Sequence, residues 1–111
     1  MSSKIYKVYF NAVSAEHGNH LFAVGWTTTT GLQPILEKDK SGDFIFDIKK
    51  TDDVSTQVIT PFQLSVEIPD NLRSIFVKVA GENHQVQVNE LKGGEGGSNT
   101  SGTWVEIKVS E

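Results

Sequence analysis

Apolar and polar residues alternate with a period of two along most of the chain. This spacing places side chains on opposite faces of a β-strand, whereas a helix repeats about every 3.6 residues. The residues expected to face inward are Tyr6, Val8, Phe10 and Ala12; Phe22, Val24 and Trp26; Phe44, Phe46 and Ile48; Phe62, Leu64, Val66 and Ile68; Ile75, Val77 and Val79; Val86 and Val88; and Val105, Ile107 and Val109. A further short strand is expected over residues 54–58.

Clusters of turn-forming residues separate these segments. They fall at residues 39–42, 69–71 and 81–83 and are rich in Gly, Pro, Asn and Asp. No window has the periodicity of a long amphipathic helix. Roughly eight or nine short strands between such turns are typical of an all-β sandwich. The predicted fold is therefore a single antiparallel β-sandwich, immunoglobulin-like or jelly-roll-like.

Length and composition are consistent with one domain. The chain has 111 residues and no cysteine, so residues 1–111 are predicted to fold as one unit without disulfides or thiolate chemistry. The glycine-rich stretch 93–102 cannot bury apolar surface. It is expected to be flexible, either as a long hairpin loop or as a linker to the last strand.

Charge narrows the class of partner. Fourteen acidic and ten basic residues give a net charge of -4, which disfavours nucleic acid and anionic membrane surfaces. No apolar run approaches the ~20 residues that span a bilayer, and no signal peptide is recognisable. The sequence predicts a cytoplasmic protein, with a secreted protein that has lost its leader as the alternative.

Candidate chemistry is sparse. His17 and His20, with Glu16 or His84, contain ligand types suitable for zinc or copper, but their spacing matches no strict motif. A solvated polar turn is the preferred interpretation, and residues 39–43 are likewise expected to form a plain turn rather than a calcium loop. With no nucleophile motif either, the chain is predicted to be neither an enzyme nor a metal or cofactor protein.

Some aromatic residues fall on the polar side of the alternation. If Val105 and Ile107 point inward, Trp104 points outward, and the same reasoning places Tyr9 and Phe76 on outer faces. Trp26 continues an apolar face and is expected in the core. Exposed aromatic patches tend to mark contact surfaces, although loops folded over the rings would give the same pattern.

These features favour a non-catalytic binding module, with carbohydrate as the leading ligand. Rings would stack on sugars, and loop polar groups would bond their hydroxyls. The predicted ligand-binding residues are Trp104, Tyr9, Phe76, His17, Asn19 and Asn83. The alternative is a self-assembling or adhesion protein, such as a homo-oligomer, that acts through protein contacts. A protease inhibitor and a small metal-dependent enzyme are lesser alternatives.

Overall fold

The structure is a computed structural model that describes residues 3–15, 18–29, 31–51, 57–90 and 102–110. This part of the chain forms eight strands and no helix. The strands are β1 (Ser3–Ala15), β2 (Gly18–Thr29), β3 (Leu32–Lys38), β4 (Phe44–Lys50), β5 (Gln57–Glu67), β6 (Ser74–Val79), β7 (Glu82–Glu90) and β8 (Thr103–Ser110). The described residues thus include no helix that could cross a membrane.

The strands form one sheet that is organised around β1. The strand order is β3-β4-β6-β7-β1-β2-β5, and β8 also pairs with β1. Residues 8–15 of β1 pair with β2, residues 3–10 pair with β8, and residues 12–14 pair with β7. Since β2 occupies one edge of β1, β7 and β8 must share the other edge, one beyond the other.

The sheet is mixed and nearly closed. The β1–β7 and β4–β6 ladders are parallel, and the other five are antiparallel. β3 and β5, the ends of the strand order, contact each other. The all-β prediction is confirmed, but the uniformly antiparallel pairing predicted for the sandwich is wrong for two ladders. Alternation reports which way side chains face and carries no information about strand direction.

The core lies inside this rolled sheet. The rings of Phe10 and Phe46 meet edge to face, with centroids 5.3 Å apart, and Phe62 stacks on Phe46 at 6.0 Å. The residues predicted to face inward on β1, β4, β6 and β8 are all buried. On these four strands the sequence prediction of the core is confirmed.

On β2 the predicted faces are reversed. Leu21, Ala23 and Gly25 are buried, whereas Val24 and Trp26 are exposed. Ala23 lies opposite the buried Phe10 in the ladder with β1, and directly paired residues face the same side of a sheet. The small inner residues leave room for large rings, because a Cβ added at Gly25 would lie 3.0 Å from Cζ of Phe62. Trp26 is therefore not a core residue.

The remaining strands agree with the sequence to different degrees. On β5, Leu64 and Val66 are half-buried and alternate with exposed residues, as predicted. β3 was not predicted, because it contains Pro34 and its apolar residues do not alternate. The strand expected over residues 54–58 lies outside the described residues except for Gln57 and Val58, which belong to β5.

The turns fall where turn residues cluster. A tight turn joins β6 to β7, and its two central residues, Ala80 and Gly81, have φ angles of 52° and 83°. Positive φ at both positions is typical of a type I′ hairpin turn. The turn predicted at residues 81–83 thus begins one residue earlier. Of the predicted flexible loop 93–102, only Gly102 lies within the described residues.

Candidate ligand-binding face

The outer surface of β8, β1 and β2 carries several aromatic side chains. Tyr9 and Trp104 lie directly opposite each other in the β1–β8 ladder, and their ring centroids are 5.0 Å apart at an interplanar angle of 51°. Trp26 lies on the same surface of β2. We call Tyr9, Trp26 and Trp104, with Lys7 and Glu106 between them, the aromatic face.

An open groove of about 540 Å³ runs between the two tryptophans. Its lining residues are Lys7, Trp26, Trp104 and Glu106. Trp104 is 58% exposed and Trp26 is 49% exposed, so each indole offers much of its surface to solvent. Lys7 and Glu106 are also exposed and lie opposite each other in the β1–β8 ladder. The groove therefore combines two apolar walls with one cation and one anion.

The strand ladders fix the separation of the tryptophans. Trp26 follows Gly25, which pairs with Val8, so Trp26 lies level with Lys7. Trp104 lies level with Tyr9, two residues further along β1 and two strands away from Trp26. From the usual strand spacing and rise, their Cα atoms are about 12 Å apart.

The backbone at Gly102 passes close to Tyr9 of the aromatic face. A Cβ added at Gly102 would fall on the Tyr9 ring and 2.5 Å from the carbonyl oxygen of Phe10. Glycine is required there for the chain to pass under Tyr9 and enter β8. The Tyr9 ring therefore packs directly against the backbone at Gly102.

Further apolar side chains extend this surface. Ile5 lies opposite Lys108 in the β1–β8 ladder, and Val24 lies opposite Tyr9 in the β1–β2 ladder. Both are exposed. Large apolar side chains exposed on one surface in this number tend to mark an interaction site.

Of the predicted ligand-binding residues, the structure brings Tyr9 and Trp104 together. Tyr9 and Trp104 are in contact, but Phe76 lies on β6 opposite Gln85, and no ring contact within the described residues links it to either one. Asn83 is exposed at the start of β7, opposite Lys78. His17 lies outside the described residues.

Asn19 lines a second surface pocket, of about 310 Å³, that shares no lining residue with the groove between the tryptophans. It is buried, and its side-chain Nδ2 donates a hydrogen bond to Oδ1 of Asp70. Its carbonyl oxygen accepts a hydrogen bond from the backbone N–H of Ile68 at 3.1 Å. These bonds connect the start of β2 to the turn that follows β5. The Asn19 amide is therefore already engaged.

The histidines considered as metal ligands lie apart. His20 on β2 pairs with Glu67, while Nε2 of His84 on β7 lies 4.0 Å from a carboxylate oxygen of Glu82. Within the described ranges, no three His, Asp or Glu side chains are grouped to hold an ion.

The turn at residues 39–43 is organised by one carboxylate. Oδ1 of Asp39 accepts hydrogen bonds from the Ser41 hydroxyl at 2.7 Å, the Ser41 N–H at 2.9 Å and the Asp43 N–H at 2.9 Å. These bonds, the Ser41 hydroxyl foremost and the Asp43 N–H next, hold the pKa of Asp39 below its ordinary value. The same oxygen closes the turn between β3 and β4.

Sequence reasoning missed three residues of the aromatic face, namely Lys7, Glu106 and Trp26, and it placed Trp26 in the core. The available signal was the pair of small residues Ala23 and Gly25, which leave space beneath large aromatic rings on neighbouring strands. Comparison of the chain with protein-family models, curated proteins and solved structures finds no match. Function must accordingly be inferred from the geometry.

Proposed function

We propose that the protein is a non-catalytic binding module that holds carbohydrate on its aromatic face. The observation that carries this proposal is that Trp26 and Trp104 are exposed on one sheet surface and line the same groove with Lys7 and Glu106. Sugars present apolar C–H faces and polar rims. Indole rings can stack on the C–H faces. A lysine ammonium and a glutamate carboxylate can form hydrogen bonds with the hydroxyl groups at the rim.

The separation of the tryptophans favours a ligand longer than one sugar. About 12 Å between their Cα atoms is wider than a single pyranose ring, so an oligosaccharide or a polysaccharide is long enough to reach both tryptophans. The groove is open to solvent and is not an enclosed cavity. A segment within a longer glycan is therefore the preferred ligand.

Preorganisation supports binding by this face. Tryptophan has only two side-chain torsions, and Tyr9 and Trp104 already contact each other before any ligand arrives. Little conformational entropy is lost when such rings meet a ligand. The proposal is confined to binding, because stacking rings hold a sugar without breaking any bond in it.

A glycan array followed by affinity electrophoresis tests this function. We expect the wild-type protein to bind at least one neutral polysaccharide, and Trp104→Ala or Trp26→Ala to weaken the retention by about tenfold or more, the loss of one stacked ring. Phe76→Ala is the matched control, because Phe76 is 57% exposed, much like Trp104, but lies on β6 away from the groove. Failure of the wild-type protein to bind any glycan, or an equal loss in the control, would overturn the proposal.

A further inference from the structure

The outer edge of β8 is open within the described part of the chain. β8 pairs along its whole length with β1, and no other strand forms a ladder with it there. β7 approaches this edge at its first residue, where the Thr103 hydroxyl donates a hydrogen bond to the carbonyl oxygen of Gln85 at 3.5 Å. From Trp104 onward, the described residues leave the backbone groups of the far edge without a ladder. An open edge of this kind is a template for another strand.

The side chains of β8 are suited to pairing with a second copy of the same strand. Glu106 and Lys108 project from the outer surface, two residues apart, while Ile107 between them is buried. In an antiparallel pair centred on Ile107, Glu106 of each copy lies opposite Lys108 of the other. The Glu106–Lys108 pair therefore occurs twice, once on each side of the twofold axis, as a symmetric dimer requires.

Neighbouring registers lack this match. A shift by one residue would place outer side chains of one copy beside inner side chains of the other. A shift by two residues would set Glu106 opposite Glu106 or Lys108 opposite Lys108, and like charges directly opposite are destabilising. The charge pattern of β8 thus selects one register.

We infer that two copies of this chain form a symmetric dimer by antiparallel pairing of their β8 edges, with Glu106 opposite Lys108 of the second copy. The two sheets join into one across this edge. Because the twofold axis is perpendicular to the sheet, both aromatic faces point to the same side. This inference stands independently of the ligand that those faces bind.

A dimer of this form would change how a repetitive ligand is held. Two aromatic faces pointing the same way can contact one long ligand together, and the second contact is then intramolecular. The dimer would therefore bind a polymer more tightly than a short fragment, because only the polymer reaches both aromatic faces. A monomer has one such face and would not gain this second contact.

Sedimentation equilibrium of charge-reversal variants tests the dimer. Wild-type protein should dimerise, and Glu106→Lys or Lys108→Glu alone should weaken the dimer about tenfold, since each creates two like-charge pairs. An equimolar mixture of the two variants should recover wild-type affinity, because every pair is again opposite in charge. The double variant Glu106→Lys with Lys108→Glu should recover it as well.

Controls separate register from net charge and from folding. Glu67→Lys on β5 and Lys49→Glu on β4 change the charge equally at exposed sites away from β8 and should leave the dimer unchanged. Circular dichroism reports folding of each variant. Lys108→Glu is the safer single variant, because Lys108 lies opposite the uncharged Ile5 within its own chain. A monomeric wild type, or a mixture that associates no better than its components, would overturn the inference.

Discussion

Tyr9 and Trp104 face each other across β1 and β8, with 5.0 Å between their ring centroids. Aromatic pairs in contact are typically worth about 0.5–1.5 kcal/mol beyond the area they bury. We expect a double-mutant cycle with Tyr9→Ala and Trp104→Ala, measured by urea unfolding, to give a coupling free energy in this range. The same cycle with Tyr9→Ala and Phe76→Ala should give none. Equal coupling in both cycles would mean that the Tyr9–Trp104 contact has no energetic role.

The reversed faces of β2 can be tested by truncation on each side. Leu21 is 0% exposed and Val24 is 39% exposed. We expect Leu21→Ala to lower the free energy of unfolding by about 2–5 kcal/mol, since it leaves a cavity in the core. Val24→Ala should change the unfolding free energy by no more than about 0.5 kcal/mol. A larger loss at Val24 would restore the face predicted from the sequence.

The backbone at Gly25 lies close to the aromatic ring of Phe62. An added Cβ would lie 3.0 Å from both the Lys7 carbonyl oxygen and Cζ of Phe62. We expect Gly25→Ala to destabilise the protein by about 1–3 kcal/mol through overpacking. In a Phe62→Leu background the penalty should shrink, because one of the two contacts is then relieved. A penalty unchanged by Phe62→Leu would assign the strain to the Lys7 carbonyl alone.

Ala80 is a non-glycine residue with a left-handed backbone, at φ 52° in the β6–β7 turn. Asparagine tolerates this conformation better than alanine and is preferred before glycine in type I′ turns. We expect Ala80→Asn to raise the free energy of unfolding by about 1 kcal/mol, measured by thermal and urea unfolding. Ala80→Val, which is β-branched, should lower it. Stabilisation by valine would contradict the assigned turn.

Asp39 should make the free energy of unfolding depend on pH in the acidic range. The hydrogen bonds to its carboxylate, from the Ser41 hydroxyl above all, lower its pKa in the folded state below the ordinary 3.8. A lowered folded-state pKa contributes stability that is complete above the unfolded-state pKa and is lost as the pH falls through the folded value. Asp39→Ala should therefore be less stable than wild type at neutral pH, and the difference should narrow below about pH 3.8.

An amide at position 39 separates titration from turn geometry. In the variant Asp39→Asn, the side-chain carbonyl oxygen would accept the same turn bonds without ionising, so the acid-dependent part of the stability should vanish. A pH titration of the wild-type protein, monitored by NMR at the Asp39 carboxyl carbon, gives the pKa of Asp39 directly. A midpoint at or above the ordinary value in the folded protein would contradict the prediction.

Alternation predicted the core wherever one face of a strand is apolar and the other is polar. β8 is such a strand, with Val105 and Ile107 inside and Glu106 and Lys108 outside. β2 has apolar residues on both faces, and its two aromatic residues, Phe22 and Trp26, lie on the outer face. The prediction assigned the aromatic residues of β2 to the core. The inner residue at position 25 is instead glycine, because the Phe62 ring packs against it. Which ring fills which gap is decided by residues distant in sequence.

The aromatic face was predictable in part for the same reason. Trp104 and Tyr9 stand out because their neighbours on the outer face are charged or polar. That Trp26 joins them depends on the register of β1 against β2, and that Phe76 stays apart depends on strand order. Neither property is written in the period of a single strand.

The pairing of β1 with β8 has a consequence for the time at which this protein can fold. Ser3 lies opposite Ser110, so this ladder joins strands that are widely separated in sequence. Contacts of such long range close late and slow folding. Until β8 emerges from the ribosome, the edge of β1 that carries the pairing of Tyr6 and Val8 with β8 has no partner strand. The first residues of β1, which pair with β8 and not with β2, therefore gain their partner strand only after β8 has been synthesised.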